Sequence, residues 1–568
     1  MSNLSPELKV KYLKKFREEK SSAIKARQVR IQNWIENEKI YNGVPTATLL
    51  TRSNLHIPKV FEAVQTTSSK IGELPDVDFD TKPEGDENSL EIMKALWHED
   101  MAECGMADIY SDSKIEAGIY GRAVYKFIPS NSGGSVELVD TMAYLIAPTA
   151  RKTKNAIYQG QQFIYKTMEE LEMDAEEFGY DEDELKKLKD NQILSETESN
   201  FSQEKSLKDL RLSYLGYANV QQLGAKMCEI TEWYTKIDKK DHVMTVANDV
   251  YLLRCVPIKD IGLTRAPFVS WAIFPRGVAF WTPGTADIER DPNLAMDVTI
   301  NQLIDNNTYR NFGMMFVSSS SGLKQSSISP RPLGVTPISV ELGSNVKDSV
   351  WQFTPPEIGS ATSTLQTLNS IADNAVGLSA SPIGHKGKMS VTQQSAMAGL
   401  MESRNNLMKK NAIRAIEELA QMYAESIIAG LTEPRKVKIY GYKPVTLEGV
   451  TKKNFKDVEL IAKATSIESS QENKAIKQKA MANLFEAFKD DPKVPGQIYL
   501  RERMAKEFDI EPTGIDKLFT EEKTKTEQAT QAPQDVQQQA PPIPTNPENP
   551  QLSANAQATA AVVPNAIR

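Results

Sequence analysis

The sequence predicts an α+β chain, mostly helical, with one very long helix and a disordered C-terminal tail. Three observations carry this expectation. Over 391–431 apolar residues recur every three or four positions, through Met397, Leu400, Leu407, Ala412, Ile416, Leu419, Tyr423, Ile427 and Leu431. At 1.5 Å per residue such a helix is about 60 Å long, which implies an elongated particle or a kink, placed near Arg404–Asn406 where the stripe lapses. From 227 to 274 strand signals dominate, in CEITEWYTKI, HVMTVAND, VYLLRCVPI and FVSWAIF. Over 521–568 the chain is rich in Gln, Pro and Ala and cannot bury enough apolar area to offset the entropy of ordering.

The 568 residues leave room for three or four domains or one large elongated architecture. Lys and Arg number 67 against 75 Asp and Glu, a net charge of −8. That argues against a protein that grips nucleic acid over its whole surface, while leaving room for a local basic patch. The 3 cysteines, Cys104, Cys228 and Cys255, build no disulfide framework and suit a reducing cytoplasm. KVKYLKKFREEK stands where a signal peptide would be apolar, and no run approaches the length of a transmembrane helix. His56, His98, His242 and His385 stand far apart, without HExxH, so no metal site is expected. There is no GxSxG elbow. GHKGK at 384–388 fails as a phosphate loop, with Pro382 in place of the first Gly and Met389 in place of the Ser or Thr. No catalytic residue, metal or cofactor is expected, and the chain reads as other than an enzyme.

The elements follow in order. Residues 5–41 read as a helix, with Ser5 as N-cap, Pro6 at the first position, and Leu8, Tyr12, Phe16, Ile24, Ile31 and Trp34 at near-helical spacing. Its basic run from Lys9 to Arg30 reads as a solvated face or as a contact for nucleic acid or an acidic partner. A second helix is expected in 56–75, stopped by Pro75, then a short strand at 77–80 and helix over 86–120. AVYKFIP and SVELVD form a hairpin across SNSGG. The acidic stretch 169–184 is either a solvated loop or helix or a surface that repels DNA, and 190–225 is loop with short helices. A helix over 282–312 carries a narrow apolar stripe, Leu294, Val298, Leu303 and Ile304, with Asn301, Asn306, Asn307 and Asn311 opposite. The stripe is too thin to bury a helix inside one chain, which puts Leu303 and Ile304 at a subunit interface. Residues 313–359 are rich in Ser, Gly and Pro with short strands at MMFV, VTPISVEL and VWQF. There Met314, Phe316, Trp351 and Phe353 either form the module's own small core or stand as exposed anchors for a partner. Helix returns over 360–378, and Pro382, Gly384 and Gly387 make 379–390 a loop bearing His385, Lys386 and Lys388. After the long helix come a strand at 436–442 and helices over 468–490 and 497–520.

One helix, a strand-bearing Ser/Gly/Pro module, a second helix, a Gly/Pro/Lys loop and one very long helix, in that order, resemble the portal (head–tail connector) proteins of tailed bacteriophages. GKMSVTQQSAMAGLMESR at 387–404 is similar to the Thr/Ala-rich start of the family's long helix. RQVRIQNWIENEKIYNG at 27–43 and RSNLHIPKVFEAVQTTSSKI at 52–71 resemble its N-terminal region. The resemblance covers roughly 27–520, through the order and lengths of elements more than single motifs. A mass of 63.3 kDa fits the family.

The resemblance implies a phage portal architecture of wing, stem, clip and crown. Residues 1–285 would be the N-terminal region and wing, 286–312 one stem helix, 313–359 the clip and 360–378 the second stem helix. Residues 379–390 would be the tunnel loop, 391–460 the long helix and return strand of the wing, 461–520 the crown, and 521–568 the Gln/Pro-rich tail. It further implies a homododecameric ring at one capsid vertex of the virion, assembled in the host cytoplasm. Double-stranded DNA would be packaged and ejected through its channel. The clip would dock the terminase large subunit and later tail adaptor proteins through Met314, Phe316, Trp351 and Phe353. The ring would contact the major capsid protein and no membrane, and His385, Lys386 and Lys388 would face DNA. A chain of net charge −8 would let the duplex slide where a strongly basic channel would bind it. Two rivals stay open: another structural virion protein, an adaptor or scaffold, and a DNA-processing enzyme. An adaptor is usually shorter, a scaffold more helical and charged, and a terminase or nuclease needs a P-loop or a carboxylate metal cluster.

Overall fold

In the computed structural model the described residues are 5–44, 52–81, 87–190, 227–311, 314–317, 350–353, 358–377, 391–439, 445–455 and 460–465. All lie in one of the chain's two compact units, Met1–Glu507. The expectations for 190–225 (beyond Asp190), VTPISVEL, the loop at 379–390, the helices over 468–490 and 497–520, and the tail fall outside them.

Helix α1 (Pro6–Tyr41) runs 36 residues with Pro6 at its start, and the Ser5 side chain makes no capping bond. Its apolar side lies on a sheet of five antiparallel strands, order β4 (Tyr144–Ile146), β5 (Tyr158–Thr167), β6 (Met227–Ile237), β7 (Lys240–Ala247) and β8 (Tyr251–Pro257). The period of two along β6 sorts the layers. Trp233 packs with Phe16, Ala23 and Ile24 of α1, while Cys228 and Ile230 face α5 (Met168–Phe178) and α6 (Glu182–Asp190) through Leu171 and Leu188. The acidic stretch therefore folds as helices, the first opened by a reciprocal capping box between Thr167 and Glu170. It also pairs with α1, since Lys9 Nζ lies 2.6 Å from Asp181 and 3.4 Å from Glu184.

The basic run of α1 is only partly a solvated face. Lys20 and Arg27 are buried. The Lys20 ammonium donates to the Asp249 carboxylate at 2.6 and 2.9 Å, and the Arg27 guanidinium donates to the Met142 and Tyr144 carbonyls. Burial requires such partners. These two side chains satisfy the sheet instead of reaching an outside ligand. Farther along, Trp34 Nε1 donates to the Tyr120 carbonyl at 3.0 Å and meets Tyr120 and Trp281 edge to face.

The expected helix in 56–75 is shorter: α2 (Lys59–Ile71) ends at Gly72, and 52–57 precedes it as non-helical chain. The expected helix over 86–120 is two, α3 (Glu87–Glu103) and α4 (Met106–Tyr120). Gly105, at φ 69, adopts the left-handed conformation that ends the first. The hairpin forms as expected from β2 (Arg122–Ser130) and β3 (Gly133–Val139), with Ser130 opposite Gly133. β9 (Phe268–Ala272) pairs on the other edge of β2. This smaller sheet meets the larger through Lys126, whose ammonium lies 3.0 Å from Glu232 and 3.2 Å from Glu137. Burial pushes the Glu232 carboxyl up, but Lys126, Arg254 and Lys166 together outweigh it and hold the group below its ordinary range.

Beyond α7 (Thr285–Asn311) come the paired strands β10 (Met314–Val317) and β11 (Val350–Phe353), then α8 (Ala361–Val376) and α9 (Val391–Gly430). Helical backbone is unbroken through Arg404–Asn406, and α9 buries Met408, Ala412, Ile416, Leu419, Tyr423 and Ile427 in the main core. Strands β12 (Arg435–Ile439) and β13 (Val445–Val450) pair, and β14 (Leu460–Thr465) pairs with β1 (Asp76–Thr81). β14 thus spans the boundary expected between 460 and 461. Asp100 ties these parts together. Its carboxylate accepts from Tyr423 Oη at 2.7 Å, from the Gly134 amide at 3.0 Å and from the Arg435 guanidinium.

Candidate assembly surface

The start of α7 is fixed by glycines. At Gly121, φ 85, a Cβ would sit 1.9 Å from the Thr282 carbonyl oxygen, and at Gly284 one would sit 2.5 Å from the Gly118 oxygen. Only chain without side chains can approach so closely. This contact sets where α7 leaves the end of α4.

The buried side of α7 is polar. Glu289, Asn293, Asp297 and Asn301 are buried, and with Asp305 they recur every four residues along one face. Asn293 Oδ1 accepts from the Val60 amide at 3.0 Å. Asp297 accepts from the Ile57 amide at 2.8 Å and lies 2.7 Å from His56 Nδ1, whose other ring nitrogen is 3.1 Å from the Ile40 carbonyl. Asn301 accepts from the Leu55 amide at 2.7 Å and donates to the Leu55 carbonyl at 2.9 Å. Asp305 accepts from the Arg52 amide at 2.6 Å, the Ser53 amide at 2.9 Å and the Ser53 hydroxyl at 2.6 Å. The Ser53 hydroxyl and these amides hold its carboxyl below the usual range. The non-helical 52–57 segment, with no ladder of its own, is satisfied by α7 side chains.

This corrects one expectation. The Asn-rich side of 282–312 does not simply oppose a buried apolar stripe, because Asn301 is a buried rung. Leu294, Val298, Leu303 and Ile304 are only half-buried. The reason is physical: the main-chain amides of this segment need acceptors, and leaving such donors unsatisfied on burial costs more than burying the Asn and Asp side chains that accept from them.

Helix α8 packs along α7, and two ties fasten it to α2. Lys59 Nζ lies 2.6 Å from Asp373 and 3.0 Å from Glu62, and Lys70 Nζ donates to the Gly377 carbonyl at 3.2 Å. Burial pulls the Lys59 ammonium down, and Asp373 and Glu62 more than offset it, so it is held above its ordinary value. Beside them stands Glu289, fully buried, with neither carboxylate oxygen hydrogen-bonded. Burial pushes its carboxyl up to about 7.

The remaining expected residues fall as follows. Met314 pairs with Phe353 and Phe316 with Trp351 across β10–β11, and Trp351 is 59% exposed. The structure brings all four of these to one two-stranded ribbon. Leu303 and Ile304 are on the half of α7 away from Gly284. His385, Lys386 and Lys388 lie outside the described residues. Sequence reasoning missed Glu289, Asp297, Asp305 and Lys59. The signal that could have found the α7 residues is the strict four-residue spacing of carboxylate and amide.

Among the described residues no helix is long and apolar enough to cross a membrane. No curated protein matches the chain. The family model described as Phage SU10 portal protein matches residues 99–560, from α3 through the C-terminal region. That span includes α7, the β10–β11 ribbon, α8 and α9, and the chain is therefore a phage portal protein of the SU10 portal family.

Proposed function

We propose that this chain forms a homo-oligomeric ring, twelve-fold as the resemblance implies, at one capsid vertex, and that viral DNA is packaged and ejected through its channel. In this reading α7 and α8 are the stem helices, 313–359 with the β10–β11 ribbon is the clip, 379–390 is the tunnel loop, and α9 crosses the wing. The crown, expected over 461–520, would then begin after β14, which belongs to the body through its pairing with β1. The role is structural, in the virion, after assembly in the host cytoplasm. The observation that carries it is the excursion from α7 through an antiparallel ribbon and back along α7 on α8, inside the family match. Helix α8 buries only Ala361, Ala372 and Val376, which leaves its length available to neighbouring copies. Trp351, exposed on the ribbon, supports a docking role for the clip toward the terminase large subunit and tail adaptors, with Met314, Phe316 and Phe353 beside it on the same strands. His385, Lys386 and Lys388 would line the channel and touch phosphates transiently, and the major capsid protein would surround the wing.

Negative-stain microscopy of the purified full-length chain tests this. Rings with a central hole are expected. A protein that stays monomeric at all concentrations, or forms filaments without closed rings, would overturn the reading.

A further inference from the structure

A buried carboxyl with two unbonded oxygens is costly in any single arrangement, and native structures rarely keep one without use. Glu289 is such a group, 0% exposed, and among the described residues Lys59 is the one cation that acts on it. Lys59 is itself buried and is already committed to Asp373 of α8 and to Glu62. Its four-carbon stem can turn its ammonium between acceptors. Three acids thus compete for one buried lysine, and one acid is left without a bond.

The competing groups come from two elements. From α2 these are Lys59 and Glu62, and from α8 Asp373. Lys70 of α2 also feels Asp373 and holds the Gly377 carbonyl. On α7 itself, Asp287 is bonded to Arg30 of α1, Arg290 pairs with Glu36 of α1 and with Asp291, and Asp297 is taken by His56. No charged group of α1 or α4, which also pack on α7, acts on Glu289. The element that can respond is α8, the least buried of the helices packed here.

We propose that Glu289 and Lys59 form a proton-operated latch for α8. With Glu289 protonated, Lys59 bonds Asp373 and clamps α8 to the body. When Glu289 gives its proton to solvent, its carboxylate takes the lysine, Asp373 is released, and α8 is free to shift along α7 while the rest of the chain stays folded. The sign follows from the group's environment. Burial raises the Glu289 carboxyl from 4.5 to about 7 in the closed arrangement, so the closed arrangement holds the proton more tightly. Opening is therefore disfavoured at low pH, rises by up to about tenfold per pH unit between the two values, and levels off above the upper one. The latch is a property of one chain and goes beyond the ring reading.

The test is hydrogen exchange of the α8 amides on the full-length protein between pH 5 and 8, corrected for the intrinsic pH dependence of exchange. Protection of α8 is expected to fall steeply up to about pH 7 and then to flatten. Glu289→Gln should keep α8 protected at every pH, and Asp373→Asn should leave it unprotected at every pH. A second measurement is the melting temperature of both single variants and the double variant at pH 8. Asp373→Asn should cost little while Glu289 is present to take the lysine, and much more in the Glu289→Gln background. Protection of α8 that ignores pH in the unaltered chain, or additive single and double variants, would overturn the proposal. Light scattering on the same samples reads oligomeric state separately, so a chain that forms no ring still tests the latch.

Discussion

Helices α1 and α8 meet the rest of the chain in opposite ways. α1 buries Phe16, Ala23, Ile24, Ile31, Trp34, Ile35 and Ile40, and even Lys20, Arg27 and Asn37 are inside with partners. α8 carries Leu365, Leu368 and Ile371, yet buries only Ala361, Ala372 and Val376, and Ile371 is 41% exposed. The more polar helix is the better covered. Composition does not decide which helix a chain covers. The supply of matching acceptors and grooves within the same chain does, and for α1 the five-stranded sheet supplies both. For α8 the chain supplies the edge of α7, Lys59 and the Lys70 contact, and the rest of its surface is left for other copies under the ring reading.

This contrast can be broken at four points. Trp34→Ala removes a fully buried indole, its bond to the Tyr120 carbonyl and two ring contacts, and should cost about 3–5 kcal/mol of stability by chemical denaturation. A loss under about 1 kcal/mol would mean that α1 is not integral to the body. Lys20→Ala leaves the Asp249 carboxylate without its buried cation. It should cost about 2–3 kcal/mol, somewhat below the roughly 3–5 kcal/mol of a fully buried broken pair, because Asp249 keeps some contact with water. Leu303→Asp with Ile304→Asp should cost about 1 kcal/mol in folding and remove ring formation in light scattering, since both side chains are half-buried in one chain. Rings of unchanged size would show that this part of α7 faces no neighbour. Lys386→Ala with Lys388→Ala should change neither folding nor ring formation. Its expected effect is on retention of packaged DNA, more at low salt than at high salt, and unaltered retention at both would remove those lysines from the channel wall.

Much of the backbone is legible in the sequence because period and punctuation are local. The β2–β3 hairpin reads from two alternating runs around SNSGG, α1 from Pro6 and its apolar spacing, and α9 from its three-or-four repeat. The break between α3 and α4 does not, because one Gly105 in a helical run is an ordinary sight until its left-handed backbone is seen. The α7 ladder was hidden for a different reason. Asn and Asp on a helix read as a wet face, and nothing local says that 52–60, more than 200 positions earlier, will present its amides there. Glu289 and Lys59 are illegible on the same ground: each is an ordinary charged residue until three helices close around it. Pairings across long sequence separation are set by topology, which residue patterns record only through the order of elements.

The ladder on α7 also has a mechanical consequence. Its rungs run antiparallel to the segment they hold, with Asp305 at Arg52 and Ser53, Asn301 at Leu55, Asp297 at Ile57 and Asn293 at Val60. Successive rungs are about 6 Å apart along the helix. A pull along the axis of α7 loads all of them at once in shear, and they must fail together. A pull across the axis loads only the outermost rung, which can open and re-form while the others hold. Because most of the bonds go to main-chain amides, this resistance is insensitive to which side chains the held strand carries. The joint between α7 and the N-terminal segment is therefore stiff lengthwise and compliant sideways, a hinge with a preferred direction of give.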